Sequence, residues 1–88
     1  MKFKIGDNVV IIDGDKRYIG LTGKVVELLI GERHVVDEGG NVYPYLVEVD
    51  KGHTEFINEY PHGTIYCCEE HLNSNDVLTT KWIKKHEV

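Results

Sequence analysis

At 88 residues with 41% apolar and 28% charged side chains, the chain has the length and composition of one small globular domain. No apolar run approaches the roughly 20 residues needed to cross a bilayer, and Met1–Asp7 lacks the long apolar core of a signal peptide, so a cytoplasmic protein is expected. The net charge of −5 is uneven: residues 32–70 carry nine acids against Arg33 and Lys51, a balance of −7, while each end is +1. Such a balance disfavours nucleic acid, whose affinity comes largely from neutralised phosphates, and suits a basic protein partner or a solvated acidic surface.

In chain order, Phe3 and Ile5 alternate with Lys2 and Lys4 before a turn at Gly6-Asp7, and Asn8–Ile12 is an apolar run of strand length. Asp13-Gly14-Asp15 ends it with a strong turn signal. Gly20-Leu21-Thr22-Gly23 then predicts a tight turn, with both glycines supplying positive φ, feeding a buried strand over Thr22–Ile30. Val35-Val36 forms a short strand ahead of the polar loop Asp37–Asn41. The next strand is expected over Val42–Asp50, with Tyr43, Tyr45, Val47 and Val49 on one face and Leu46 and Glu48 on the other. Pro44, lacking an N–H, belongs at an edge or at the strand's start.

Residues 51–63 read as a long polar insertion, and connections of that length in small domains are usually functional or partly structured. A strand follows over Thr64–Glu69, with Ile65, Cys67 and Glu69 opposing Tyr66 and Cys68. Glu70–Asn73 predicts a single helical turn that drops Leu72 into the core, and Asp76–Lys85 a last strand. No stretch of normal helix length carries a 3.6-residue apolar period, so the expectation is an all-β domain of about five strands.

Lys4-Ile5-Gly6-Asp7-Asn8-Val9-Val10-Ile11-Ile12, then Gly14, then Gly20-Leu21-Thr22-Gly23-Lys24-Val25-Val26 resembles a KOW motif, the strand–loop–strand unit of small SH3-like barrels in ribosomal proteins and transcription elongation factors. The likeness covers about residues 4–29. It implies a single SH3-like barrel over residues 1–88, with a one-turn helix before the last strand, as in short bacterial and phage proteins of this build. The nucleic-acid-binding members of the family are basic in the loop between the two strands. Here only Lys16, Arg17 and Lys24 answer that pattern, and Asp13 and Asp15 flank them.

Catalytic and metal chemistry find little footing. The adjacent Cys67 and Cys68 should point to opposite faces, one into the core and one outward, and suit reduced thiols rather than a disulfide. Cys68, His71 and His62 reach metal-ligand spacing only if the loop folds back. Ser74 sits in an Asn-Ser-Asn turn, and the Gly20–Gly23 turn is too short to cradle a phosphate. No enzyme, cofactor or metal is expected.

The aromatics carry more. Tyr18, Tyr43, Tyr45, Tyr60, Tyr66 and Trp82 cannot all be core in so small a domain, and Tyr and Trp favour interfaces. The plainer reading has Tyr45, Tyr66 and Trp82 core or half-core and the others merely covering loops. Tyr18, Tyr43 and Tyr60 come from three different loops or strand ends, and the loops of such barrels converge on one rim. The expectation is therefore a non-enzymatic module engaging a protein through Tyr18, Tyr43, Tyr60, Glu38, Glu55 and Glu59. A phage or mobile-element accessory protein would fit, with a basic nucleic-acid-handling protein as one kind of partner. The alternative is a KOW-type nucleic-acid or ribosome-associated module using Lys4, Lys16, Arg17 and Lys24.

Overall fold

A computed structural model describes residues 2–31 and 35–75. Within them the chain is mostly β, with one short helix and one 3₁₀ turn. The strands are β1 (Asn8–Ile11), β2 (Thr22–Leu28), β3 (Val35–Val36), β4 (Val42–Tyr43), β5 (Tyr45–Val49), β6 (Thr64–Cys67) and β7 (Leu72–Ser74). Five of them form an antiparallel sheet in the order β6-β5-β2-β1-β7, and β3 pairs with β4 in a separate hairpin.

The apolar pattern sets this arrangement. Val9, Ile11, Val25, Tyr45, Val47, Cys67 and Leu72, one or two from each strand of the five-stranded sheet, meet with Phe3 in a single core. Val47 pairs with Val25 on one side and Ile65 on the other, so alternate residues of three adjacent strands share the inner face. Between Val25 and Glu27 the register shifts, which leaves Val26 outside the pairing. The bulge lies just past the Thr22–Lys24 stretch that pairs with β1 on one side and lies along β5 on the other.

Tyr45 fastens the N-terminal lead-in to this core. Its ring is fully buried and meets Phe3 edge-on, with centroids 5.5 Å apart. Its hydroxyl donates to Glu69 Oε1 at 2.7 Å and accepts the Phe3 N–H at 3.2 Å, while Glu69 also accepts the Lys2 N–H at 2.6 Å.

Several expectations need correction. The insertion at 51–63 is not a loop throughout: Thr54–Glu59 is a helix, α1, whose Phe56 is buried. A six-residue helix is marginal by itself; tertiary contacts hold this one. The expected strand over Val42–Asp50 is cut at Pro44 into β4 and β5, placing Tyr43 in the second sheet. Gly20 does take positive φ at 96°, but Gly23 does not, and its role is close packing between strands. Strand β6 ends at Cys67, so the alternation stops and Cys68 turns inward too; both thiols are buried. The predicted helical turn is a 3₁₀ turn over Glu69–His71 that delivers Leu72 to the core at the start of β7. Ser74 belongs to β7 rather than to a turn. The strand expected over 76–85, with Trp82, lies outside the described residues. No helix of the described residues is long and apolar enough to cross a membrane.

Candidate functional site: an aromatic face centred on Tyr18

Three short-range features place Tyr18. The Asp13 carboxylate accepts the Gly14 N–H at 2.8 Å, Asp15 accepts the Arg17 N–H at 2.9 Å, and the Tyr18 N–H bonds the Asp15 carbonyl at 2.9 Å. This run of turns is what an Asp-Gly-Asp sequence favours. Gly14, at φ 95°, lies against the 3₁₀ turn so closely that a Cβ there would stand 2.9 Å from His71 Nδ1. The Ile12 N–H donates to the His71 carbonyl at 2.8 Å, pinning the β1–β2 loop from below.

From the other side comes α1. The His53 N–H donates to the Asp50 carbonyl at 3.1 Å, and the His53 ring accepts the Thr22 N–H through Nε2 at 3.1 Å. The Thr22 hydroxyl in turn donates to Asp50 at 2.6 Å, so the helix start is tied to β2. Phe56 then packs edge-on to Tyr18, with centroids 6.0 Å apart, and lies 5.1 Å from Tyr60. Gly63, at φ 71°, returns the chain to β6. The Tyr18 and Tyr60 hydroxyls are 3.1 Å apart and hydrogen-bonded. That bond, with Glu59 nearby, pushes the Tyr60 hydroxyl up to about 12.

Three depressions meet at Tyr18. The largest, about 490 Å³, runs along α1 and is lined by Arg17, His53, Glu55, Phe56 and Glu59 as well as Tyr18. A second, about 330 Å³, lies between Tyr18, Tyr60, His62 and Tyr66. The third, about 210 Å³, is bounded by Asp13, Asp15, Tyr18, Tyr43 and Tyr66. The face is therefore built of tyrosine rings with four carboxylates around them.

Most of the expected protein-binding residues gather here: Tyr18, Tyr60, Glu55 and Glu59 line this face, and Tyr43 borders its third depression. The Tyr43 hydroxyl, however, is occupied by its own hairpin. It donates to Asp37 at 2.6 Å, which raises Tyr43 to about 12 and, with the Asn41 bonds, holds Asp37 near 2. Glu38 sits exposed at the hairpin tip and lines none of the three depressions. Tyr66, core or half-core on the plainer reading of the sequence, is 51% exposed and lines two depressions. Its signal was in the sequence: it alternates with Ile65 and Cys67, which face inward.

The basic residues do not assemble. Lys24 stands opposite Asn8 and Glu48, at the end of β1 to which Lys4 leads in, whereas Lys16 and Arg17 lie beyond the Ile11 end. Arg17 is already engaged. Its Nη2 donates to Asp15 at 2.7 Å and its Nε at 3.1 Å, and the guanidinium lies 5.1 Å from the Tyr18 ring centre. The Arg17 bonds hold the Asp15 carboxyl down at about 2, and Arg17 is raised in return.

For other chemistry, Cys67 is pushed up to about 12 by burial, far from a reactive thiolate. Among the described residues no three His, Cys, Asp or Glu side chains gather to hold a metal ion. Compared with known families, proteins and solved structures, the chain matches no family model, no curated protein and no solved structure.

Proposed function

We propose that this chain is a protein-binding module of SH3-like build whose docking face is the acid-rimmed tyrosine surface around Tyr18. The sheet order β6-β5-β2-β1-β7, with a 3₁₀ turn leading into β7, supports the SH3-like reading. The observation that carries the binding role is the convergence of Tyr18, Tyr60 and Tyr66, from three separate segments, on adjoining depressions. Rings held by packing present large area at low entropy cost, the property that makes Tyr prominent at interfaces. Tyr18 and Tyr60 are steadied by each other and by Phe56, so little ordering remains for a partner to impose.

Affinity capture from a lysate, with and without nuclease, tests this reading. A partner that survives nuclease and is lost with Tyr60→Ala and Glu59→Gln is the expected outcome. Capture that vanishes with nuclease, or that depends on Lys16 and Arg17 while ignoring Tyr60, would return the KOW-type nucleic-acid reading.

A further inference from the structure

Resting on the binding-module reading, we infer that the face around Tyr18 recognises arginine side chains in a basic segment of its partner, and that Arg17 is the chain's own occupant of part of that seat. The charge around the depressions is one-sided. Asp13, Asp15, Glu55 and Glu59 line them, and among the described residues Arg17 is the one Lys or Arg that does. The surrounding chain, residues 32–70, carries a balance of −7, so a cationic segment is drawn in and a phosphate-bearing one repelled.

Arginine rather than lysine follows from the geometry Arg17 displays. Its guanidinium forks onto Asp15 through Nε and Nη2 while lying near the Tyr18 ring, combining a two-point carboxylate contact with cation–π attraction. A lysine ammonium is a compact, strongly hydrated charge that cannot make the planar fork. Between Tyr18, Tyr60 and Tyr66 a second, ring-lined seat adjoins at Tyr18 and Phe56 the depression that Glu55 and Glu59 line, and among the described residues no Lys or Arg lines it. Arg17 and Asp15 are both well exposed, so a partner's arginine can compete for the pair without disturbing the core.

The test is calorimetric titration of the full chain at low salt with two short synthetic peptides, one alternating arginine with glycine and serine, the other with lysine in arginine's place. The arginine peptide should bind about three- to fivefold tighter. Glu59→Gln and Glu55→Gln should each weaken it about threefold, as exposed pairs do, while Glu38→Gln at the hairpin tip leaves it unchanged. Tyr66→Ala, at an exposed position that should not unfold the domain, weakens it too, and Arg17→Gln strengthens it by removing the internal competitor. Equal binding of the two peptides, no binding, or equal effects of Glu38→Gln and Glu59→Gln would overturn the inference. A lysate partner lost with Tyr60→Ala but not displaced by the arginine peptide overturns this inference alone. Capture indifferent to Tyr60 and Glu59 removes the binding module with it.

Discussion

Gly23→Ala is a small change with a large expected cost. Gly23 lies in β2 between Val9 of β1 and Val49 of β5, where the strands approach so closely that an added methyl has no space. A Cβ there would stand 2.8 Å from Val47 Cγ1 and 3.0 Å from the Glu48 carbonyl carbon, and nearer still to that carbonyl's oxygen. Ordinary carbon contacts are about 3.5–4.0 Å, so β2 and β5 must part by most of an ångström. Val47 cannot give way easily, being 1% exposed, and the Glu48 atoms are backbone. Overpacking of this kind costs about 1–3 kcal/mol. The neighbouring Asp50 N–H to Thr22 carbonyl bond, 2.9 Å long, is stretched as the strands separate, adding about 1 kcal/mol. Stiffening the unfolded chain returns about 0.4–1 kcal/mol. The net loss is about 1–3.5 kcal/mol. With a urea slope near 1 kcal/mol/M for a domain of this size, the unfolding midpoint should fall by about 1 M or more. Gly52→Ala is the control: nothing lies within 4 Å of a Cβ there and its φ is not left-handed. It should be neutral or stabilise by up to about 1 kcal/mol. If Gly23→Ala stays within about 0.5 kcal/mol of the parent, the close-approach reasoning is wrong.

Three further expectations follow from the same geometry. Tyr45→Phe removes both the bond to Glu69 and the acceptor of the Phe3 N–H, and should cost about 2 kcal/mol by urea titration with an unchanged slope. Asp37 is held near 2, below its ordinary 3.8, so the stability it contributes is present above that ordinary value and is lost as pH falls from about 4 toward 2. Tyr43→Phe removes the largest cause of that shift, and a pH series of melting temperatures should show a shallower acid limb for the variant. Buried Cys67 and Cys68 should resist a thiol reagent at pH 8 in the folded chain and react fully in urea, and prompt reaction of the native protein would refute their burial.

Local chemistry made much of this fold legible in advance. The apolar run of β1, the Asp13-Gly14-Asp15 turn, the alternation of Tyr45, Val47 and Val49, and the descent of Leu72 into the core each depend on a few adjacent residues and on the two-residue repeat of a strand. Pro44 announced a weak point, and it divides two strands. The acidic balance of the middle region was likewise a property of the residue list.

Tertiary structure decided the rest, because it depends on which distant segments touch. Helix α1 has too few residues to show a period; its place is settled by Phe56 against Tyr18 and by His53 against Thr22. Gly23 looks in sequence like a second turn glycine, and only the nearness of Glu48 reveals that it serves interstrand packing. The inward turn of Cys68 follows from where β6 stops. At the candidate site the residue types were readable, but their grouping was not: Tyr66 joined the face, Glu38 stayed apart, and Arg17 came to lie among the acids. Those outcomes rest on contacts spanning tens of residues, such as the Tyr18–Tyr60 hydroxyl pair, which no short-range pattern encodes.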